Sequence, residues 1–191
     1  MKKNLLIVGD SFSSDWTKKD KECSGWVNKL EQHYNVTNLS DAGVGEYKIS
    51  LQLKSVESLV YDKIIICHTS PYRIYIKQHP IHHNDVLHHN CDLIYSDLLE
   101  YKNDFICGVA VNFFEHIYDT DYADTIHKLI VKELQTKYPT AFHISFFDLN
   151  ISNIHYFYDE FKKYRGTVNH LNKQGNDVVY SKIYKLLEDN V

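Results

Sequence analysis

No long run of lysine and arginine occurs in this chain, which removes the electrostatic footprint of a nucleic-acid binder. The formal net charge is −4 over 191 residues. The densest basic stretch, "KKDK" at 18–21, sets three lysines around Asp20 and reads as a solvated face. No stretch approaches the roughly 18 consecutive apolar residues of a membrane span. Four cysteines (Cys23, Cys67, Cys91, Cys107) are scattered without a CxxC pair, so neither a zinc knuckle nor a disulfide framework is indicated. The opening "MKKNLLIVGDS" puts two lysines before apolar residues, as a signal peptide does. Its apolar stretch is four residues long and runs straight into a polar turn. The expectation is a reducing, cytoplasmic setting with no nucleic-acid or membrane partner. Repeats, linkers and low-complexity segments are also absent, which points to one domain over 1–191.

What is present is an alternation of apolar runs and helical patterns, the signature of βαβ units and a mostly parallel sheet. Residues 4–8 form the first expected strand. "SGWVNKLEQHY" at 24–34 reads as a helix capped by Ser24, with Trp26, Val27, Leu30 and Tyr34 on one face. "NVTNLS" at 35–40 is a short second strand. A glycine-bearing loop, "DAGVGEY", leads into a helix over about 46–59. "DKIIICH" at 62–68 has the continuous apolar character of a strand buried on both faces. Residues 71–92 form an irregular excursion. Helices are expected over 92–101, 105–118 and 122–138, the last stopped by Pro139. A strand follows at 141–148, and 149–169 is mostly loop, with "NIHYFY" as a short edge strand. An amphipathic helix over 172–189 closes the chain.

The stretch "LLIVGDSFSSDW" at 5–16 ends a strand on Gly9, Asp10 and Ser11. Local sequence fits two roles: a plain turn or helix cap, or a turn that displays Ser11 as a nucleophile. Three further loops carry suggestive residues: Gly43 after the second strand, Thr69 and Ser70 after the third, and His170 before the last helix. Ligands of open parallel sheets bind where loops leave the carboxyl ends of the strands. Acyl transfer needs a nucleophile, a base and oxyanion donors. Ser11 and His170 supply the first two, and the backbone N–H groups of Ser11 and Gly43 suit the third.

Here the chain resembles the SGNH (GDSL-type) hydrolase family. "GDSFS" matches its first block, "NLSDAGVGEYKI" resembles its second and "NHLNKQGN" its last, in the right order across nearly the whole chain. The resemblance implies a three-layer α/β/α sandwich of flavodoxin-like type with a mostly parallel sheet. It implies Ser11 as nucleophile, Gly43 as oxyanion-hole glycine, His170 as base, and ester hydrolysis with no cofactor and no metal. Two positions depart from the family pattern. "CHTSPYR" offers no Asn as oxyanion donor after the third strand, leaving Thr69 or Ser70 for that role and Arg73 for an anionic substrate group. Thr167 stands where the family places an Asp before the histidine, so a backbone carbonyl or Asp159 is left to orient His170.

Asp10 fits either a substrate-binding role or one that shapes the turn through backbone hydrogen bonds. Gly45 is the weaker alternative to Gly43. "HPIHHNDVLHH" holds five of the twelve histidines, His79, His82, His83, His88 and His89, near Asp85 and Asp92. No metalloenzyme spacing accompanies them, and a solvated or substrate-contacting loop is the reading preferred over a metal site. Tyr47, Tyr72 and Tyr75 are aromatics that can stack on a sugar ring near the crevice. The expected function is a serine esterase that removes a small acyl group, such as acetyl, from a carbohydrate or other polar ester. The alternatives are an acyltransferase with the same Ser–His chemistry and a catalytically weak binding protein.

Overall fold

A computed structural model describes residues 2–189 of the chain, leaving Met1, Asn190 and Val191 of the expected span outside the described residues. Five strands form one sheet: β1 (Lys3–Gly9), β2 (Tyr34–Asn38), β3 (Lys63–His68), β4 (Phe142–Ser145) and β5 (His155–Tyr156), in the order β2-β1-β3-β4-β5. Every pairing is parallel, with Leu5 beside Val36, Ile7 beside Ile65 and Ile66 beside His143.

The apolar run of β1 divides by period two. Leu5 and Ile7 enter one core layer with Ile65, Cys67 and Ile144, while Leu6 and Val8 enter the other with Ile66. The first layer is closed by α1 (Trp26–Leu30) and α7 (Lys173–Asp189), which contributes Val179, Ile183 and Leu187 at helical spacing. The second is closed by Ile49 and Leu53 of α2 (Glu46–Ser55) and Leu134 of α5 (Thr120–Lys137). A three-layer α/β/α sandwich of flavodoxin-like type results. A satellite cluster joins Leu93 to Leu98 of α3 (Tyr95–Glu100) and to Cys107, Ala110 and Val111 of α4 (Phe105–His116). Among the described residues, no helix is long and apolar enough to cross a membrane.

Several elements differ from their expected bounds. The first helix is capped by Gly25 rather than Ser24, with the Asn28 side chain accepting from the Gly25 N–H at 2.9 Å. It stops at Leu30, because the chain then makes three successive i→i+3 hydrogen bonds and commits Tyr34 to the sheet. The second helix ends at Ser55 for a similar reason, and Leu59 and Val60 stay exposed. Residues 149–169 contain α6 (Tyr158–Lys163) and β6 (Arg165–Val168), neither anticipated in a stretch read as mostly loop. The excursion over 71–92 is irregular as expected and is pinned by an antiparallel bridge between Ile74 and Leu93.

Chain order reverses between β1 and β3, since β2 lies outside β1 and β4 outside β3. A crevice opens at such a switch point beyond the carboxyl ends of the strands.

Candidate active site

The turn after β1 is fixed by its carbonyls. The Asp10 carbonyl accepts from the Ser13 N–H and from the Ser13 and Ser14 hydroxyls, at 3.0–3.2 Å. The Ser11 carbonyl accepts from the Trp16 indole at 3.0 Å, and the Phe12 carbonyl from the Trp26 indole at 2.8 Å. Gly9 admits this turn: a Cβ there would come within 2.6 Å of the Cys67 Cβ. With the carbonyls occupied, Ser11 Oγ is left 2.8 Å from His170 Nε2.

His170 arrives from the other end of the chain. Asn169 and His170 both adopt left-handed backbone, with φ of 48° and 56°, at the tip of a tight turn between β6 and Leu171. The Asn169 side-chain amide donates to the Ser14 carbonyl at 2.9 Å and to the Ser11 carbonyl at 3.4 Å, latching the histidine loop to the serine turn. The imidazole packs at 4.5 Å between ring centroids on Phe12 and edge-on to Trp16 at 6.0 Å. Burial holds the His170 pKa below its ordinary value; the Asp10 charge opposes this, and Arg73 and His88 reinforce it.

Among the described residues, no carboxylate is hydrogen-bonded to the His170 ring. Asp159 is exposed on α6, and the Thr167 carbonyl accepts from the backbone N–H of His170 rather than from its ring. Two ring contacts and a constrained backbone orient the imidazole in place of a carboxylate.

Gly43 lines the same cavity as Ser11 and His170, a crevice of about 540 Å³. Its φ of 79° is left-handed, and a Cβ would stand 2.6 Å from the Cys91 Cβ, so both conformation and space require glycine. The loop is braced by Asp92, whose N–H donates to the Gly43 carbonyl at 3.0 Å and whose carboxylate takes the Gly45 N–H at 2.7 Å. Lys48 pairs with that carboxylate at 2.9 Å in a buried position. Gly45 therefore has no N–H to offer a substrate. Among the described residues, no protein acceptor takes the N–H of Ser11 or of Gly43.

The other candidates lie elsewhere. Asp10 is fully buried behind the crevice wall, not on its surface. Its carboxylate accepts from the Phe12 N–H at 3.0 Å, the Thr69 hydroxyl at 2.6 Å and Arg73 Nη2 at 3.2 Å. Burial pushes its pKa up, against the pull of Arg73 and the two hydrogen bonds. Thr69 is buried with its hydroxyl committed to Asp10, so it is not free to bind an oxyanion. Ser70 faces a different cavity, and Arg73 lines both. Tyr47 and Tyr75 also line that second cavity.

Of the histidine-rich segment, His82 and His88 reach the crevice, alongside Asp85 and Asp97. His79, His82 and Asp97 bring ligand atoms within 4.8 Å of one another. The donor chemistry does not suit a metal. His79 Nδ1 accepts from the N–H groups of Ile81 and His82 at 3.2 Å, so the proton of the neutral ring sits on Nε2, the nitrogen that faces Asp97 at 3.8 Å. Ligation would need the lone pair that this proton occupies. His88 donates from Nδ1 to Asp85 at 3.0 Å and turns the rest of its ring to the crevice.

Sequence reasoning missed Asn169, the latch between the Ser11 turn and the His170 loop. An Asn directly before the candidate base was the available signal, because Asn tolerates left-handed backbone better than most residues. Comparisons with protein-family models, with curated proteins and with solved structures found no match.

Proposed function

We propose that this chain is a serine esterase of SGNH type that removes a small acyl group, such as acetyl, from a carbohydrate or other polar ester. The observation that carries the reading is the 2.8 Å contact between Ser11 Oγ and His170 Nε2, set beside two unengaged backbone N–H groups in one crevice. His170 Nε2 takes the Ser11 proton as Oγ attacks the ester carbonyl. The oxyanion that forms is met by the N–H groups of Ser11 and Gly43. His170 then returns the proton to the departing alcohol, and a water repeats the sequence to release the acid. The polar lining from His82, Asp85, His88, Ser96 and Asp97 suits a hydroxyl-rich alcohol component better than a long acyl chain.

The test is hydrolysis of p-nitrophenyl acetate by the wild type, Ser11→Ala and His170→Ala, each with and without EDTA. The expected result is a loss of roughly 10³-fold or more in kcat/KM for each variant, with no effect of chelator. Equal rates in all three proteins overturn the reading.

A further inference from the structure

A second cavity, of about 480 Å³, lies across Arg73 from the crevice, and among the described residues Arg73 alone lines both. Its wall is largely apolar, with Ile74, Phe113, Ile117, Tyr122, Ile126 and Ile130 drawn from the excursion, α4, α5 and the turn between those helices. Volume and lining of this kind are those of a small-molecule site in which a few polar groups set the orientation.

The carboxylates in that wall are all engaged. Glu46 accepts from His68 at 2.7 Å, from the Thr69 N–H at 3.3 Å and from His127 at 3.3 Å. Asp92 holds Lys48 and the Gly45 N–H, and Asp119 caps α5 by accepting from the Tyr122 N–H at 2.8 Å. Three nitrogens are not engaged: Arg73 Nε, Arg73 Nη1 and His127 Nδ1 are buried without a partner. The Arg73 side chain is 9% exposed and His127 4%. Both groups converge on Thr69. Arg73 meets it through the Asp10 carboxylate that the Thr69 hydroxyl also binds, and His127 Nε2 donates to the Thr69 carbonyl at 2.8 Å. That last bond uses Nε2, which leaves Nδ1 as the ring nitrogen open to a ligand. Arg73 and His127 thus bring unengaged buried nitrogens to the wall of an apolar cavity.

We propose that this cavity binds a small monocarboxylic acid with an apolar tail. A carboxyl oxygen accepts from Arg73, and the acid brings one proton, held between its other oxygen and His127 Nδ1. The tail lies along Ile117, Ile126 and Ile130. A carboxyl group with its proton offers one oxygen to the arginine and the other, with the proton, to the histidine. A hydrocarbon leaves both unanswered, an amine brings no acceptor for the arginine's charge, and an alcohol must serve both from a single oxygen. Through Glu46 and Thr69, His127 is linked to His68 and to the Arg73–Asp10 pair, and Tyr118, Asp119 and Tyr122 line the same cavity.

Octanoate is the probe, with 1-octanol as the tail-only control, titrated calorimetrically into the intact chain between pH 8 and 6. The expected result is one site per chain and net uptake of a proton, read from buffers of different ionisation enthalpy. Affinity should tighten towards tenfold per pH unit as pH falls. Octanol should bind at least tenfold more weakly. Ala123→Phe, at a position in the cavity wall, leaves Arg73 and His127 in place and should abolish the heat, with an unchanged melting profile showing that it folds. Absence of octanoate binding to the wild type, equal affinity for octanol, pH-independent affinity, or binding that persists in folded Ala123→Phe each overturns the proposal. None of these readouts depends on esterase activity.

Discussion

The ends of β1 and β3 lie side by side, yet they treat polar side chains in opposite ways. Beyond β1, the carbonyls of residues 10–12 are all occupied, while Ser11 lines the crevice and, among the described residues, no protein acceptor takes its N–H. At the end of β3, His68 and the following Thr69 are fully buried and closed into a network with Glu46, His127 and His143. Proton placement in that network follows from its acceptors. His143 Nε2 faces the Tyr138 carbonyl at 3.2 Å and must donate, so its Nδ1 accepts from His68 Nε2 at 2.9 Å. His68 Nδ1 faces Glu46 at 2.7 Å and donates there as well, which makes His68 an imidazolium paired with a carboxylate. The Glu46 pKa agrees: burial would raise it, but the His68 charge and the hydrogen bonds from His127 and His68 bring it down to about 2. One strand end is left open for a ligand and its neighbour is locked. In a sheet whose strands are fixed by shared packing, the locked end can hold the open end still.

That contrast predicts separate consequences for breaking each end. Losing Ser11 should remove activity and spare stability. Glu46→Gln should do the reverse first, because it strips the carboxylate from the buried His68 cation. A broken buried pair costs about 3–5 kcal/mol. Urea denaturation should show this loss in full, and any fall in kcat/KM at temperatures where the variant remains folded should be far smaller than that of Ser11→Ala. A Glu46→Gln protein as stable as the wild type would mean that the β3 end is not locked by charge.

A smaller effect lies in the pH dependence of stability. Burial, followed by repulsion from His68, lowers the His143 pKa to about 4 from an ordinary value near 6.5. A histidine depressed in the folded state binds its proton more readily when unfolded. Stability is therefore fully present above pH 6.5 and declines as pH falls towards 4, by at most about 3 kcal/mol. Glu46 continues the loss from its ordinary carboxylate range down towards pH 2, with the same sign. His79 and His170 are also lowered and add to the upper leg. His143→Asn retains an acceptor for His68 and removes the titrating ring, so the slope between pH 6.5 and 4 should become shallower. An unchanged slope would place the acid sensitivity in the other histidines.

How much of this was legible in the chain depends on whether a feature is carried by one segment or by several. The β1 and β3 strands declare themselves in "LLIV" and "IIIC", since both faces of a central parallel strand are apolar, and the closing helix declares itself by Val179, Ile183 and Leu187. Ser11, Gly43 and His170 could be singled out because each sits in a loop at a strand or helix end. Their meeting in one crevice needed the topology. Thr69 shows the limit most clearly. Its position after β3 suggested an oxyanion donor, but a hydroxyl is free or spent according to a neighbour 59 positions away, Asp10. Only three-dimensional contact fixes that. The six-residue α6 escaped notice because it presents Phe161 to the core with too little length to reveal a period, and β6 because Arg165, Gly166 and Thr167 are exposed.

Asn169 gives the finest test of how the open end is held. Its side-chain amide ties the histidine tip to the carbonyls of Ser11 and Ser14, while its Oδ1 is buried without a partner. Truncation to alanine removes two donor contacts and relieves one unsatisfied acceptor, so the net stability change should be small, about 1 kcal/mol or less. Alanine also pays more than asparagine to hold a φ of 48°, which loosens the tip further. The His170 ring is held by aromatic contact and not by a carboxylate, so it has little else to keep Nε2 on Ser11 Oγ. Asn169→Ala should accordingly lower kcat for p-nitrophenyl acetate by about tenfold or more, since small displacements of a catalytic group are costly. KM and the melting temperature should change much less. Asn169→Gly, which accepts the left-handed backbone freely but lacks the amide, separates the two contributions. Recovery in the glycine variant would assign the effect to backbone conformation, and equal loss in both would assign it to the latch across the Ser11 turn.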